Sequence, residues 1–192
     1  MVTSGKALQF ADHQRRSQSL PIFTALPKSR NGGTRWVTRA RPKIDRIACP
    51  WLILRCIDPQ AEFLYVPAAQ VRGTARDQAA TPFDILDVAF SHRGDRCTFD
   101  ALLEDFLLEG DDALRVVAGI VRAADTGRLN AAREAAGLLA MSLGLSRLFE
   151  RDEDMLRHGL MIYDALYLWA LEAREESHGW NPHALLAAAE RR

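Results

Sequence analysis

The ten residues Ser91-His92-Arg93-Gly94-Asp95-Arg96-Cys97-Thr98-Phe99-Asp100 gather an imidazole, two carboxylates, two guanidiniums and a thiol. Phe99, Leu102, Leu103, Phe106 and Leu107 follow at helical spacing, so Thr98 reads as the N-cap of a helix. Cys97 then stands just before a helix N-terminus, where free backbone N–H groups and the macrodipole favour an anion. With Arg93 and Arg96 beside it, such a thiol is expected to ionise readily and to act as a nucleophile or metal ligand. Arg-rich helix starts also hold oxyanions without covalent chemistry. The plainer alternative is a turn at Gly94, solvated charges and a small core cysteine.

A second stretch, Arg41-Pro42-Lys43-Ile44-Asp45-Arg46-Ile47-Ala48-Cys49-Pro50-Trp51, repeats the arrangement. Pro50 suits the first position of a helix, which makes Cys49 its N-cap, with Lys43 and Arg46 upstream. That helix carries Trp51, Leu52, Ile53, Cys56 and Ile57 until Asp58-Pro59 stops it. Two helix starts of the same chemistry are expected to converge on one pocket, with Asp45, Cys49, His92 and Cys97 clustered. Lys43, Arg46, Cys49, Arg93, Arg96 and Cys97 are the expected ligands of an oxyanion. Asp45, His92, Asp95, Cys97 and His178 are those of a divalent metal ion, although the His92–Cys97 spacing matches no standard zinc pair.

These groups need elements to position them. Trp36-Val37-Thr38 and Glu62–Val66 read as short strands, and Phe83–Phe90 as a third that delivers Ser91 and His92 at its end. A helix opening at Asp111 or Asp112 carries Ala113, Val117, Ile120, Val121 and Ala124 on one stripe and ends at Asp125-Thr126-Gly127. Asp125 opposes the dipole there, so it either faces a cation or bonds its own turn. Asn130 caps a helix over Ala131–Phe149 that is apolar all round and is therefore expected at the centre, with Gly137 and Gly144 admitting close neighbours. Asp152–Glu175 closes the core, and Asp164, set among leucines, requires an arginine or a metal if buried. The fold expected is α+β: a helix-rich single domain with two or three short strands in the N-terminal half and a helical C-terminal half. Its boundaries are a basic, disordered extension over 1–34, a domain over 35–182 and a tail over 183–192.

Composition narrows the classes. With 192 residues, 48% hydrophobic and 26% charged, the chain can bury one sizeable core. It has no apolar run of the ~20 residues a bilayer span needs and no secretory h-region, so a cytoplasmic protein is expected. Three cysteines make a disulfide framework unlikely. The net charge of zero hides ten Lys or Arg in residues 1–46 against Asp12 and Asp45. That basic arm suits an acidic partner or nucleic acid.

Several of these segments, taken together, resemble the C-terminal domain of the bacterial chromate-resistance protein ChrB. The matching residues are Arg41 to Ile53, Phe63-Leu64-Tyr65-Val66-Pro67, Thr81-Pro82-Phe83-Asp84 and Ser91 to Asp100. Ala124-Asp125-Thr126-Gly127, Glu134-Ala135-Ala136-Gly137-Leu138-Leu139-Ala140, Tyr163-Asp164-Ala165-Leu166-Tyr167 and His178-Gly179-Trp180 complete them. The resemblance implies a chromate-responsive component whose partner is chromate or a related oxyanion. The alternative is a thiol- or metal-dependent enzyme of chromate reduction. The DNA-binding part of full-length relatives has no counterpart in residues 1–34, so direct DNA binding is not expected. No Gly-x-Gly-x-x-Gly run marks a flavin or nicotinamide site.

Overall fold

The computed structural model describes residues 4–176. In chain order it runs α1 (Ser4–Gln18), α2 (Pro21–Thr24), β1 (Arg35–Arg39) and α3 (Asp45–Leu52), which continues as a π-helical turn, Ile53–Ile57. Then come β2 (Glu62–Val66), a 3-10 turn (Ala68–Gln70), α4 (Val71–Asp77) and β3 (Thr81–Pro82). The second half is helical: α5 (Thr98–Asp105), α6 (Asp112–Asp125), a 3-10 turn (Leu129–Ala131), α7 (Ala135–Leu148) and α8 (Asp152–Glu172). This is the expected helix-rich α+β architecture. Among the described residues no helix is long and apolar enough to cross a membrane.

The three strands are parallel in the order β2-β1-β3, with Val37 opposite both Leu64 and Pro82. Parallel neighbours need crossovers, and right-handed crossovers to opposite sides of β1 put α3 and α4 on opposite faces of the sheet. The period-2 alternation of β1 serves both faces. Val37 packs with Val71 and Ala80 on one side, while Trp36 meets the rings of Phe83 and Phe90 on the other. The chain leaves β1 towards one neighbour and enters β3 on the other side. A crevice therefore opens beyond the carboxyl ends of β1 and β3, the place where open parallel sheets bind ligands.

The buried centre is α3 with its π turn: Ala48, Cys49, Trp51, Leu52, Ile53 and Cys56 have no exposed surface. Pro50 lies inside α3 and not at its start. A proline there cannot bond the carbonyl four residues back, and that carbonyl, Arg46 O, instead accepts the Tyr65 hydroxyl at 2.9 Å. The helix starts at Asp45 because Ile44 reverses the backbone at φ 35°, its N–H donating to Ser142 Oγ and its carbonyl accepting from the Tyr163 hydroxyl. Cys49 is therefore a mid-helix residue, not an N-cap. Asp164 has the partner its surroundings demand, since it accepts from Arg55 and from the Trp51 indole at 2.7–2.8 Å.

Three sequence expectations fail locally. Phe83–Phe90 is not a strand: Asp84 and Asp87 take left-handed φ of 51° and 53°, and only Phe83 and Phe90 bridge. Pro82 needs no N–H on the edge strand β3, and the last bond to β1 runs from Phe83 N–H to the Val37 carbonyl at 3.1 Å. The basic arm is not detached from Ser4 onward. Phe10 lies 5.1 Å from the Tyr167 ring, and Gln14 and Gln18 donate to the carbonyls of Arg55 and Ile57 at the end of the π turn. Docking through side-chain amides leaves little apolar period to read. Finally, α7 is a flank rather than the centre: only Ala135, Leu138 and Ser142 are buried, and Met141, Leu143 and Leu148 face outward.

The close approach lies in α8 instead. A Cβ on Gly159 would stand 2.5 Å from Ile47 Cγ2, whereas one on Gly144 meets nothing within 4 Å. Gly159→Ala should therefore destabilise by about 1–3 kcal/mol, and Gly144→Ala should stabilise by up to about 1 kcal/mol. Chemical denaturation of the two variants checks this.

A second expectation concerns Asp111, which caps α6 through Leu114 N–H. Burial alone would raise its carboxyl, but His13, Leu114 N–H and Tyr167 hold it down at about 2. A depressed folded pKa adds stability above the unfolded value, near 4, and loses it as pH falls from there towards 2. Unfolding free energy measured across that window should fall more steeply for the wild type than for Asp111→Asn.

Candidate metal centre

Five chain segments converge at the crevice. β1 ends at Arg39, α3 begins with Asp45 and Arg46, and the turn after β3 supplies Asp84. The loop before α5 brings His92, and α6 ends at Asp125. Asp125 lies at a helix C-terminus, where the dipole disfavours a carboxylate, and its Oδ2 stands 3.1 Å from His92 Nε2. The same imidazole nitrogen is 3.6 Å from Asp45 Oδ2 and 3.6 Å from Asp84 Oδ1. Of the two roles expected of Asp125, facing a cation or bonding its own turn, the first matches the imidazole of His92 opposite it.

Asp45 is completely buried. Its Oδ2 accepts the N–H of Thr98, the first residue of α5, at 2.6 Å, and the Cys97 thiol lies against the same carboxyl, while Oδ1 is buried with no hydrogen-bond partner of its own. Asp45 thus caps α5 from another part of the chain and turns one unmatched oxygen inward. Burial, with Asp125 and Asp84 nearby, lifts its carboxyl to about 8. Asp84 is buried too, yet His92 and Arg39 hold its carboxyl below the usual range. Arg39 donates to it at 2.9 Å, and Arg46 Nε is 3.3 Å away. The three carboxylates, Asp84 first among them, raise the His92 imidazole to about 9 against the effect of its burial. Backbone strain accompanies these groups, since Ile44 and Asp84 both hold φ above zero without being glycine.

Ligand atoms of Asp45, His92 and Asp125 all lie within 4.8 Å of one another. Donors bound at about 2.0–2.2 Å to a common ion stand roughly 3–4 Å apart, so the set fits a divalent cation after a small contraction. One imidazole with carboxylates suits borderline and hard ions such as Zn²⁺, Mn²⁺ or Fe²⁺.

The sequence-derived site residues divide. Asp45, His92 and Arg46 come together. Cys49 and Cys97 are buried close enough to Asp45 for its charge to act on both thiols. The ready ionisation expected of these thiols is contradicted. Burial, then Asp45, pushes both well up. Cys97, not Thr98, is the residue before α5, and its N–H goes to Asp100 at 3.0 Å. Arg93 and Arg96 turn away from the crevice, Arg93 to Asp105 at 2.8 Å and Arg96 to Glu104 and Glu109 at 3.3 and 3.1 Å. Asp95 pairs with Arg128 in solvent. Lys43 lies half-buried on the loop before α3. His178 lies outside the described residues. Arg39 and Asp84 were missed as site groups; the signal that could have found them is a charged residue at, or within two residues of, each strand's carboxyl end.

The fold and the site define a class: an α+β domain with a carboxylate–imidazole cluster at the carboxyl edge of a small parallel sheet. Comparison with known proteins supplies the family. Residues 36–170 match the family model of the ChrB C-terminal domain, and the chain belongs to that family. It is 36% identical over 135 residues to "Protein ChrB" of Cupriavidus metallidurans. That alignment covers 70% of this chain and 40% of the relative, so the chain corresponds to less than half of that protein's length. No solved structure matches.

All three cysteines are free and buried. Native protein at neutral pH should therefore react negligibly with a chromogenic disulfide reagent over minutes, and denatured protein should show three titratable thiols. Rapid reaction of Cys97 in the folded state would contradict this assignment.

Proposed function

We propose that this chain is an ion-binding module of chromate resistance, and that its ion is a divalent cation held by Asp45, His92 and Asp125 with Asp84 behind them. The observation that carries the reading is Asp45 Oδ1, a fully buried carboxylate oxygen without a partner beside an imidazole and two more carboxylates. Leaving such an atom unmatched costs on the order of 1–3 kcal/mol, which a bound cation would recover. The cation would displace the protons carried by Asp45 and His92 and so relieve the mutual repulsion of the carboxylates. Chromate would then meet the exposed side of the ion, with Arg39 and Arg46 at the rim supplying further positive charge.

A second reading rests on a different observation. At neutral pH without a cation, His92 is protonated and stands with Arg39 and Arg46, three cationic groups that could hold an oxyanion directly. Three carboxylates within the same few ångströms weigh against it. A reductase acting through thiolates fits less well, given the burial of Cys49 and Cys97.

Calorimetric titration with Mn²⁺ and with Zn²⁺ should give saturable one-site binding. Asp45→Asn, which retains an acceptor for Thr98 N–H, and Asp125→Asn should each weaken it at least about tenfold. Saturating metal, at about 100 times Kd, should add about 2.7 kcal/mol of stability. Chromate binding that persists in excess chelator, with no measurable Mn²⁺ or Zn²⁺ affinity, would favour the second reading and overturn the first.

A further inference from the structure

Beside the ion site lies a groove of about 730 Å³, lined on one side by Ala68, Ala69 and Arg72 and on the other by Ile85, Leu86 and Asp87. Arg39, Asp84, Ser91 and His92 close one end, so the groove leads onto the open side of the carboxylate–imidazole cluster. We propose that it binds a small organic anion, an acid group with an apolar body, rather than a bare tetrahedral oxyanion alone. The inference rests on the cation reading only for where the acid group ends.

Size is the first argument. The groove falls within the roughly 300–1,000 Å³ of small-molecule pockets, several times what a five-atom oxyanion fills. Its lining is the second: Ala68, Ala69, Ile85 and Leu86 offer an apolar patch for a ligand's body, and Arg39, Arg72, Ser91 and His92 offer donors for its acid beside Asp84 and Asp87, which are already paired with arginines. The cations are the third. Arg39 lines this wall with a side chain 42% exposed and gives one nitrogen of its guanidinium to Asp84. Arg72 gives one nitrogen to the Leu86 carbonyl at 2.7 Å, and Asp87 stands 3.9 Å from that same nitrogen. Both guanidiniums thus retain donors for an oxyanion group. The fourth is Leu86, which is 81% exposed on the groove wall although the loop beneath it is tied to α4 through Arg72. An apolar ligand body would cover it. The position completes the case, since the groove lies beyond the carboxyl ends of β1 and β3, where the strand order reverses.

The test uses phenyl phosphate against inorganic phosphate, titrated into Mn²⁺-loaded and chelator-treated protein. Phenyl phosphate should bind at least about tenfold more tightly, because only it has a body to bury. Arg72→Ala should weaken phenyl phosphate about fivefold or more, and Leu86→Ser should reduce its advantage over inorganic phosphate. Both variants should keep the wild-type Mn²⁺ affinity. Equal binding of the two phosphates, or an Arg72→Ala variant that binds phenyl phosphate as the wild type does, would overturn the proposal. If Mn²⁺ fails to bind while phenyl phosphate binding still depends on Arg72, the groove stands and the cation reading falls. If Mn²⁺ binds and phenyl phosphate does not, the groove proposal falls alone.

Discussion

A single carboxylate organises this domain. Asp45 opens α3, yet its bonded oxygen caps α5, more than fifty residues further along the chain. Burying a carboxylate in an apolar surround costs several kcal/mol unless it is neutralised or well bonded. Here the chain brings two more carboxylates towards it, one imidazole, and two guanidiniums that pair with Asp84 rather than with Asp45. The arrangement is electrostatically expensive, and it survives because the framework around it is rigid. Ile44 is pinned by Ser142 and Tyr163, Arg46 bonds the end of β1, and Asp84 is clamped by Arg39. α7 and α8 therefore support the site without contributing a group to it.

Pro50 shows how closely local sequence and tertiary structure are joined. Its missing N–H frees the Arg46 carbonyl for Tyr65 of β2, so a defect in the helix becomes a tie between helix and sheet. Directly after it the helix widens into the π turn, whose terminal carbonyls receive Gln14 and Gln18 of α1. One imino acid is thus followed by two docking contacts, and both hold the segment that starts with Asp45.

This also explains what the sequence could reveal. The strands at Trp36 and Glu62, the stripe of α6 and the need of Asp164 for a partner follow from period, capping and polarity, which are local. Asp45, Arg46 and His92 stood out because charged groups are dense around them. Asp84 did not, because its role depends on a left-handed turn that hydrophobic pattern does not encode, and Phe83–Phe90 carries enough Ile, Val and Phe to read as a strand. The cysteines misled for a related reason. A thiol before a helix looks activated in one dimension, but burial and a neighbouring carboxylate decide its ionisation, and both are tertiary. In α7 an apolar composition without a sharp stripe could not show that one side has no neighbour.

Asp45, His92 and Asp125 come from segments far apart in sequence: the start of α3, the loop before α5 and the end of α6. Any ligand that bridges Asp45, His92 and Asp125 closes two long loops of the chain at once, as a pair of crosslinks would. Occupancy would then be felt as mechanical tightness across the sheet and α6 together, not merely at the crevice.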